Sequence, residues 1–80
     1  MRIDKFLKTS RLIKRRTIAK EACEKERIFI NGKPAKPGTE VKIDDVVMIQ
    51  FGNSVIKARV RSLSQLTTKE SAETMYEIVD

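Results

Sequence analysis

Apolar residues near the start of the chain recur at helical spacing. Three of them follow an i, i+3, i+4 pattern: Ile3, Phe6 and Leu7. This spacing predicts a short helix over residues 3–10 with one buried face. A second, narrower stripe consists mostly of small side chains: Ile18, Ala19, Ala22 and Cys23. It predicts a helix over about 15–25 that packs closely against a neighbour, with Leu12 and Ile13 beneath the connection at 9–14.

After this helical part, the pattern changes to short apolar runs bounded by turn residues. Residues 27–30 (Arg-Ile-Phe-Ile) predict a strand. Asn31-Gly32 follows directly and is the dipeptide that best accepts the two positive φ angles of a type I′ hairpin turn. Next come three residues that predict an irregular stretch: Pro34, Pro37 and Gly38. Asp44-Asp45 predicts a further turn.

A second hairpin is predicted from strands at 46–51 and 54–61, joined by Gly52-Asn53. If side chains alternate, one face of the first strand carries Val47, Ile49 and Phe51. The second strand alternates Ile56, Ala58 and Val60 with Lys57, Arg59 and Arg61. We expect these cations on a solvated outer face, and the alternation alone leaves open whether they also contact a ligand. A short closing element, of helix or strand type, is expected to pack back through Met75, Tyr76, Ile78 and Val79.

Charge is concentrated at one end of the chain. The first twenty residues contain eight cations and one acid, Asp4, for a net charge of +7. The cations are Arg2, Lys5, Lys8, Arg11, Lys14, Arg15, Arg16 and Lys20. The other sixty residues carry nine cations and ten acids, so the formal charge of +6 lies in one quarter of the sequence. A charge of one sign on one element is typical of a polyanion-binding surface, whereas a merely solvated helix face usually interleaves Glu with Lys.

Composition excludes several function classes. An 80-residue chain forms a thin core with little room for an enclosed substrate pocket. With one cysteine, Cys23, and no histidine, the usual zinc sites, histidine-based acid–base catalysis and Cys–His nucleophiles are excluded. We expect Cys23 to be a small buried hydrophobe. No apolar run has the length of a signal peptide or a membrane span, so we expect a cytoplasmic protein without membrane contact.

Several segments together resemble one RNA-binding family. They are Arg2-Ile-Asp-Lys-Phe-Leu, Arg11, Lys14-Arg-Arg-Thr-Ile-Ala-Lys-Glu-Ala, Arg27-Ile-Phe-Ile-Asn-Gly and Val41-x-x-x-Asp45-Val-Val-x-Ile. This sequence is similar to the RNA-binding domain named after small-subunit ribosomal protein S-four, also called the alpha-L motif. The hairpin and the Ala72, Met75 and Tyr76 tail resemble the small bacterial ribosome-associated quality-control factors of this family and a related heat-shock protein. The family usually has Gly-Asp where this chain has Asp44-Asp45.

The resemblance implies an α+β fold in which N-terminal basic helices pack on a small, largely antiparallel β-sheet. We expect a single domain over 1–80, with the core motif at 1–51 and a hairpin and C-terminal extension at 52–80. RNA contacts are expected from all eight N-terminal cations, foremost Arg11, Arg15 and Arg16. Asp4 also matches the family motif, and we expect it to hold a neighbouring arginine in place. Phe6 and Phe51 are expected in the core, and Phe29 alone on the outer sheet face makes no stacking surface.

The implied function is that of a non-enzymatic factor that needs no cofactor or metal. Its expected partners are large-subunit rRNA and peptidyl-tRNA on the large ribosomal subunit, together with a partner protein that recruits alanyl-tRNA. The factor would act as a monomer and hold the P-site tRNA while a stalled chain receives an alanine tail. Three alternatives remain: a general structured-RNA- or DNA-binding protein, a ribosome assembly factor, and a fragment of an RNA-modifying or tRNA-charging enzyme. The absence of a catalytic partner domain argues against the last of these.

Overall fold

The computed structural model describes residues 1–63 and 72–79. Two helices come first, α1 (Ile3–Thr9) and α2 (Arg16–Glu24). The strands that follow are β1 (Ile28–Ile30), β2 (Lys33–Pro34), β3 (Val46–Phe51), β4 (Ser54–Val60) and β5 (Tyr76–Val79). A single 3-10 turn over Glu73–Met75 leads into β5. Of the predicted C-terminal extension, residues 64–71 and 80 lie outside the described part of the chain.

The strands form one antiparallel sheet in the order β2-β1-β3-β4-β5. Two helices on a small antiparallel sheet confirm the predicted fold class. The closing element, whose type the sequence left open, contains strand β5, which pairs with β4. The irregular stretch was predicted to begin at Pro34, but Pro34 pairs with Phe29 as the last residue of β2. An edge strand accepts proline because its outward side has no ladder hydrogen bond to make.

The predicted type I′ turn is present between β1 and β2. Asn31 and Gly32 have φ angles of 51° and 84°, and Ile30 pairs directly with Lys33 across them. The Asn31 side chain also ties this hairpin to the Asp44-Asp45 turn. Its amide nitrogen donates to Asp45 Oδ1 at 3.0 Å, and its amide oxygen accepts from the Val46 N–H at 2.9 Å. The turn therefore forms although Asp44, with φ 75°, occupies a left-handed position where glycine is usual.

The core lies between the two helices and one face of the sheet. All three residues of the α1 stripe, Ile3, Phe6 and Leu7, are fully buried, as predicted. They pack in one cluster with side chains from the sheet, including Ile28, Val47, Ile49 and Val60. Ile13 is buried beneath the connection and Leu12 is half-buried against the same cluster, also as predicted.

Three apolar residues predicted to pack against the body of the protein lie at the surface, and one of them is Ile78 of β5, which is 59% exposed. Phe51, expected in the core, is 41% exposed, and Ile18 of the α2 stripe is 50% exposed. Phe51 is the last residue of β3, next to the hairpin turn. Ile18 lies about 100° around α2 from Ala19, which is fully buried. The buried stripe of α2 is therefore narrower than its apolar sequence suggests.

The N-terminus is fixed by the loop that precedes β3. The Ile3 N–H donates to the Thr39 carbonyl at 2.8 Å, and the Val41 N–H donates to the Met1 carbonyl at 2.9 Å. The terminal ammonium group of Met1 pairs with Glu40 at 3.0 Å. These contacts hold the backbone of Arg2, which lies between them, in a defined position before α1 begins. Over the described ranges, neither helix is long or apolar enough to cross a membrane.

Candidate nucleic-acid interface

All eight predicted RNA-binding cations lie on the two-helix unit or on its connection. Arg2 is the N-cap of α1 and Arg15 is the N-cap of α2. Seven of the eight are exposed, and Lys5 is half-buried. Apart from these two N-cap residues, the cations lie within α1 (Lys5 and Lys8), in the connection (Arg11 and Lys14) and within α2 (Arg16 and Lys20). The structure thus gathers these residues on one unit whose opposite side faces the core.

Helix α2 separates its cations from its exposed apolar residue. Ala19 and Cys23 form the buried stripe. At 100° per residue, Arg16 and Lys20 lie on one flank of this stripe and Ile18 lies on the other. α2 has no acidic residue in its first turn and no side-chain hydrogen bond at its N-cap. The positive end of the helix dipole therefore adds to the charges of Arg15 and Arg16.

The lone acid of this region occupies the centre of the site. The Asp4 side chain is 3% exposed and receives donors from three residues. Arg2 Nη2 lies 3.2 Å from Asp4 Oδ2, and Arg16 Nε lies 3.4 Å from the same oxygen. The Lys5 backbone N–H donates to Oδ1 at 2.8 Å. A buried carboxylate requires such donors because its desolvation is costly.

Asp4 therefore does more than the sequence predicted. We expected it to hold one neighbouring arginine, and it pairs with two, from different helices. The close spacing of Arg2 and Asp4 was a visible signal. The pairing with Arg16, twelve residues further along, arises only from the way α1 packs on α2. About half of each arginine side chain remains exposed, 50% for Arg2 and 47% for Arg16.

Arg11 has an unusual backbone conformation, with φ at 62°. It directly follows Ser10, the C-cap of α1, and its N–H donates to the Lys8 carbonyl at 3.1 Å. This is the C′ position, where helices that end in the left-handed conformation usually have glycine. An arginine here is strained, and its side chain is exposed. The spacing of residues in the sequence did not reveal this conformation.

The cations of strand β4 lie elsewhere. Lys57 and Arg59 are exposed, and they alternate with Ala58 and Val60, which are buried in the core. They therefore point away from the helices, as predicted. Arg61, just beyond β4, lies 3.8 Å from Glu77. The sheet cations and the helix cations thus belong to opposite faces of the fold.

A shallow groove of about 200 Å³ runs between α2 and the end of β3. Its apolar lining includes Ile13, Ile18, Ala22, Ile49 and Phe51. Its polar lining includes Lys25 and Glu21, an ion pair at 3.1 Å. Ile18 and Phe51, two of the exposed residues that the sequence pattern had placed inside, thus lie together along this groove.

Cys23 is buried, as predicted, and is 3% exposed. Burial raises the pKa of its thiol from 9.0 to about 11, and the nearby carboxylates of Asp4 and Glu24 add to the effect. The reactive thiolate is therefore almost absent near neutral pH. In the described ranges, no three His, Cys, Asp or Glu side chains are grouped so that they could hold a metal ion.

Comparison with known proteins gives four consistent likenesses. Residues 1–47 match the family described as the S4 domain. The chain is 53% identical to the "RQC P-site tRNA stabilizing factor" of Listeria monocytogenes, over 99% of this chain and 86% of that protein. It is 49% identical to the protein of the same name from Bacillus subtilis, over 99% of this chain and 92% of that protein. Among solved structures, heat shock protein 15 of Vibrio cholerae superposes with a TM-score of 0.90 at 25% identity, covering 99% of this chain and 81% of that one.

Proposed function

Because this chain belongs to the S4 domain family and, within it, to the family of the RQC P-site tRNA stabilizing factors, we propose that it binds the bacterial large ribosomal subunit and stabilises P-site tRNA there. In this proposal it contacts both rRNA and peptidyl-tRNA. It acts in the cytoplasm, as a monomer, and contributes no chemistry of its own.

The observation that carries the proposal is the convergence of the N-terminal cations on one two-helix unit. Eight cations and one acid occupy the first twenty residues. That acid is buried beneath two arginines, so it presents almost no negative surface of its own. A polyanion approaching this side therefore meets almost only positive groups. Such a surface favours RNA over protein or small-molecule ligands.

The residue types suit recognition of RNA shape. An A-form helix has a deep, narrow major groove that hides its base edges, so a small protein contacts phosphates and 2′-hydroxyls. Arginine fits this task because its planar guanidinium can grip two phosphate oxygens at once. We propose Arg2, Arg11, Arg15 and Arg16 as the main contacts, with the four lysines Lys5, Lys8, Lys14 and Lys20 adding charge.

The names of the relatives, which refer to stabilisation of P-site tRNA, support the cellular role in this proposal. On a large subunit that still carries peptidyl-tRNA after stalling, the protein holds that tRNA in the P-site. A partner protein then recruits alanyl-tRNA, and the stalled chain gains an alanine tail that marks it for degradation. The protein supplies position, and the ribosome supplies the peptidyl-transfer chemistry.

Sedimentation of a cell lysate on a sucrose gradient tests the proposal. The epitope-tagged protein, traced by immunoblot, is expected to peak with free large subunits. The double variant Arg2→Ala/Arg16→Ala is expected to shift toward the top of the gradient. Lys57→Ala/Arg59→Ala removes the same number of positive charges from the opposite face and serves as the matched control, expected to stay with the subunits.

Three other distributions on the gradient, and one result of filter binding, would contradict the proposal. A peak of the wild-type protein in the soluble fraction would show that it does not associate with ribosomal subunits. Release of the control variant to the same extent as Arg2→Ala/Arg16→Ala would show that net charge, rather than the helical face, determines binding. Co-sedimentation with precursor particles, and not with mature large subunits carrying tRNA, would favour an assembly factor. Filter binding that shows equal affinity for duplex DNA and tRNA would favour a general nucleic-acid-binding protein.

A further inference from the structure

From the geometry around Asp4, we infer that this carboxylate is a positioning residue that holds Arg2 and Arg16 side by side as one phosphate-binding pair. The inference rests on the proposed function, since it concerns how the same surface grips RNA. Arg2 Nη2 and Arg16 Nε both lie within 3.4 Å of Asp4 Oδ2. Two guanidinium groups that would otherwise repel each other therefore meet at a single oxygen atom.

The contacts leave donors available on the outer side of the pair. Arg16 uses Nε and Nη2 toward Asp4, the latter at 3.5 Å from Oδ1. Arg2 uses Nη2. A guanidinium carries five N–H donors, so each arginine keeps several for an external acceptor. With both side chains about half exposed, these donors can reach a phosphate placed over the pair.

The backbone around the pair is also constrained. Asp4 is fixed within α1, and its N–H donates to the Pro37 carbonyl at 3.4 Å. The Arg2 guanidinium passes over Gly38, where an added Cβ would lie 3.9 Å from Arg2 Nε. The loop at residue 38 thus lies within van der Waals reach of the guanidinium. Arg2 is held from below by Asp4 and from one side by this loop.

The variant Asp4→Asn distinguishes a positioning role of Asp4 from the simple effect of its charge, because the two roles predict opposite changes in RNA affinity. If Asp4 were only an acid near RNA, its neutralisation would tighten binding, by about threefold for a carboxylate about 7 Å from a phosphate in water. If Asp4 positions the arginines, neutralisation frees both side chains and weakens binding. We expect affinity for RNA to fall about fivefold to tenfold and the salt slope of log K to fall by roughly 0.7–0.9, equivalent to one lost phosphate contact.

The measurement uses full-length protein with two probes: purified large ribosomal subunits and a short A-form RNA duplex. Glu24→Gln, which neutralises an exposed acid of α2, is the matched control and is expected to bind as well as the wild type or tighter. Thermal unfolding of each variant reports the fold. Asp4→Asn is also made in an Arg2→Ala/Arg16→Ala background, where it is expected to cause no further loss, because its effect passes through those arginines.

Two results would overturn the inference. Equal or tighter binding by Asp4→Asn would make Asp4 an ordinary acid near the site. An equal loss with and without the two arginines would mean that Asp4 acts through the fold as a whole. The two probes keep this separate from the proposed function: if the wild type binds the duplex but not the large subunit, the proposed function fails, while the duplex still measures the effect of Asp4.

Discussion

Helices α1 and α2 are each followed, directly after the C-cap, by a residue with a positive φ angle, and neither residue is glycine. Arg11 follows α1 with φ 62°, and Glu26 follows α2 with φ 56°. At α2 the capping bonds are complete, with Glu26 N–H donating to the Cys23 carbonyl and Arg27 N–H to the Ala22 carbonyl, at 3.0 and 2.9 Å. Glycine would adopt this conformation without steric cost. Arg11 therefore lowers the stability of the fold. Its proposed RNA contact would be the functional reason for an arginine at this position.

Arg11→Gly should consequently change stability and binding in opposite directions. We expect the free energy of unfolding to rise by about 0.5–1 kcal/mol, because the left-handed strain is removed. RNA affinity should fall, with the salt slope of log K lower by roughly 0.7–0.9. Urea unfolding and filter binding at several salt concentrations measure the two effects.

Glu26→Gly is the matched control at the end of the other helix. It should stabilise the fold by a similar amount and leave RNA affinity unchanged or slightly higher, since it removes an acid. If Arg11→Gly gains stability and keeps full affinity, Arg11 is not an RNA contact. If neither variant gains stability, the strain at these two positions has been misjudged.

Cys23 gives the fold a pH dependence. Its pKa in the folded state is raised to about 11, so the folded protein holds the thiol proton at pH values where the unfolded chain has released it. The contribution to stability is therefore fully present below about pH 9 and is lost as pH rises toward 11. The loss amounts to up to about 2–3 kcal/mol.

Cys23→Ala isolates this contribution, because the thiol is the only group that differs between the two proteins. At pH 7 the variant should be about 1 kcal/mol less stable than the wild type, through a small cavity. Between pH 9 and 11 the difference should shrink and then change sign. Urea unfolding across this range checks the prediction, and parallel stability curves for the two proteins would contradict it. RNA binding at pH 7 should be unaffected.

At the scale of elements, sequence reasoning succeeded where local chemistry determines structure. The turn at Asn31-Gly32 forms as predicted because its two positive φ angles depend on only two residues. Strand β3 coincides with the predicted 46–51, and both helices fall within one residue of their predicted ends. The errors arose where packing decides. Ile18 and Phe51 continue the apolar patterns of their helix and strand. Whether the edge of a helix or strand is covered depends on the neighbouring elements, which one segment of sequence does not encode.

The candidate site shows the same division. The eight cations were visible as a charge block, and their helical placement followed from spacing. The junction of Arg2 and Arg16 at Asp4 was not visible in the sequence, because it depends on the relative position of two helices. Likewise, the positive φ of Arg11 is a consequence of how α1 ends and has no sequence signal other than the absence of glycine.

The placement of cations on two opposite faces leads to a prediction at this scale. A double charge reversal on the sheet, Lys57→Glu/Arg59→Glu, changes the net charge by −4, whereas Arg15→Ala/Arg16→Ala changes it by −2. If RNA binds to the helical face, the smaller charge change should nevertheless cost more affinity, since it removes direct phosphate contacts. Filter binding with ribosomal RNA at fixed salt compares the two. A greater loss from the sheet variant would place the binding face on the sheet.

At the scale of the whole molecule, the N-terminal unit is strongly basic and the rest of the chain is close to neutral, with net charges of +7 and −1. A peptidyl-tRNA on a lone large subunit has lost the small subunit and the messenger RNA that anchor its anticodon arm. A compact basic unit that contacts rRNA on one side and tRNA on the other could replace this anchorage. Two modest phosphate-based contacts made together gain from a high effective concentration.

Deletion of the gene should then abolish or greatly reduce alanine tails on a reporter that lacks a stop codon, while bulk translation stays nearly normal. Wild-type protein should restore tailing. Arg2→Ala/Arg16→Ala should not, because removing both guanidiniums leaves the buried Asp4 without its two arginine partners and takes away the phosphate-binding pair. Lys57→Ala/Arg59→Ala, expressed at the same level, should restore tailing because its changes lie on the opposite face. Normal tailing in the deletion strain, or full rescue by the double arginine variant, would contradict the role in quality control and leave RNA binding as the more general function.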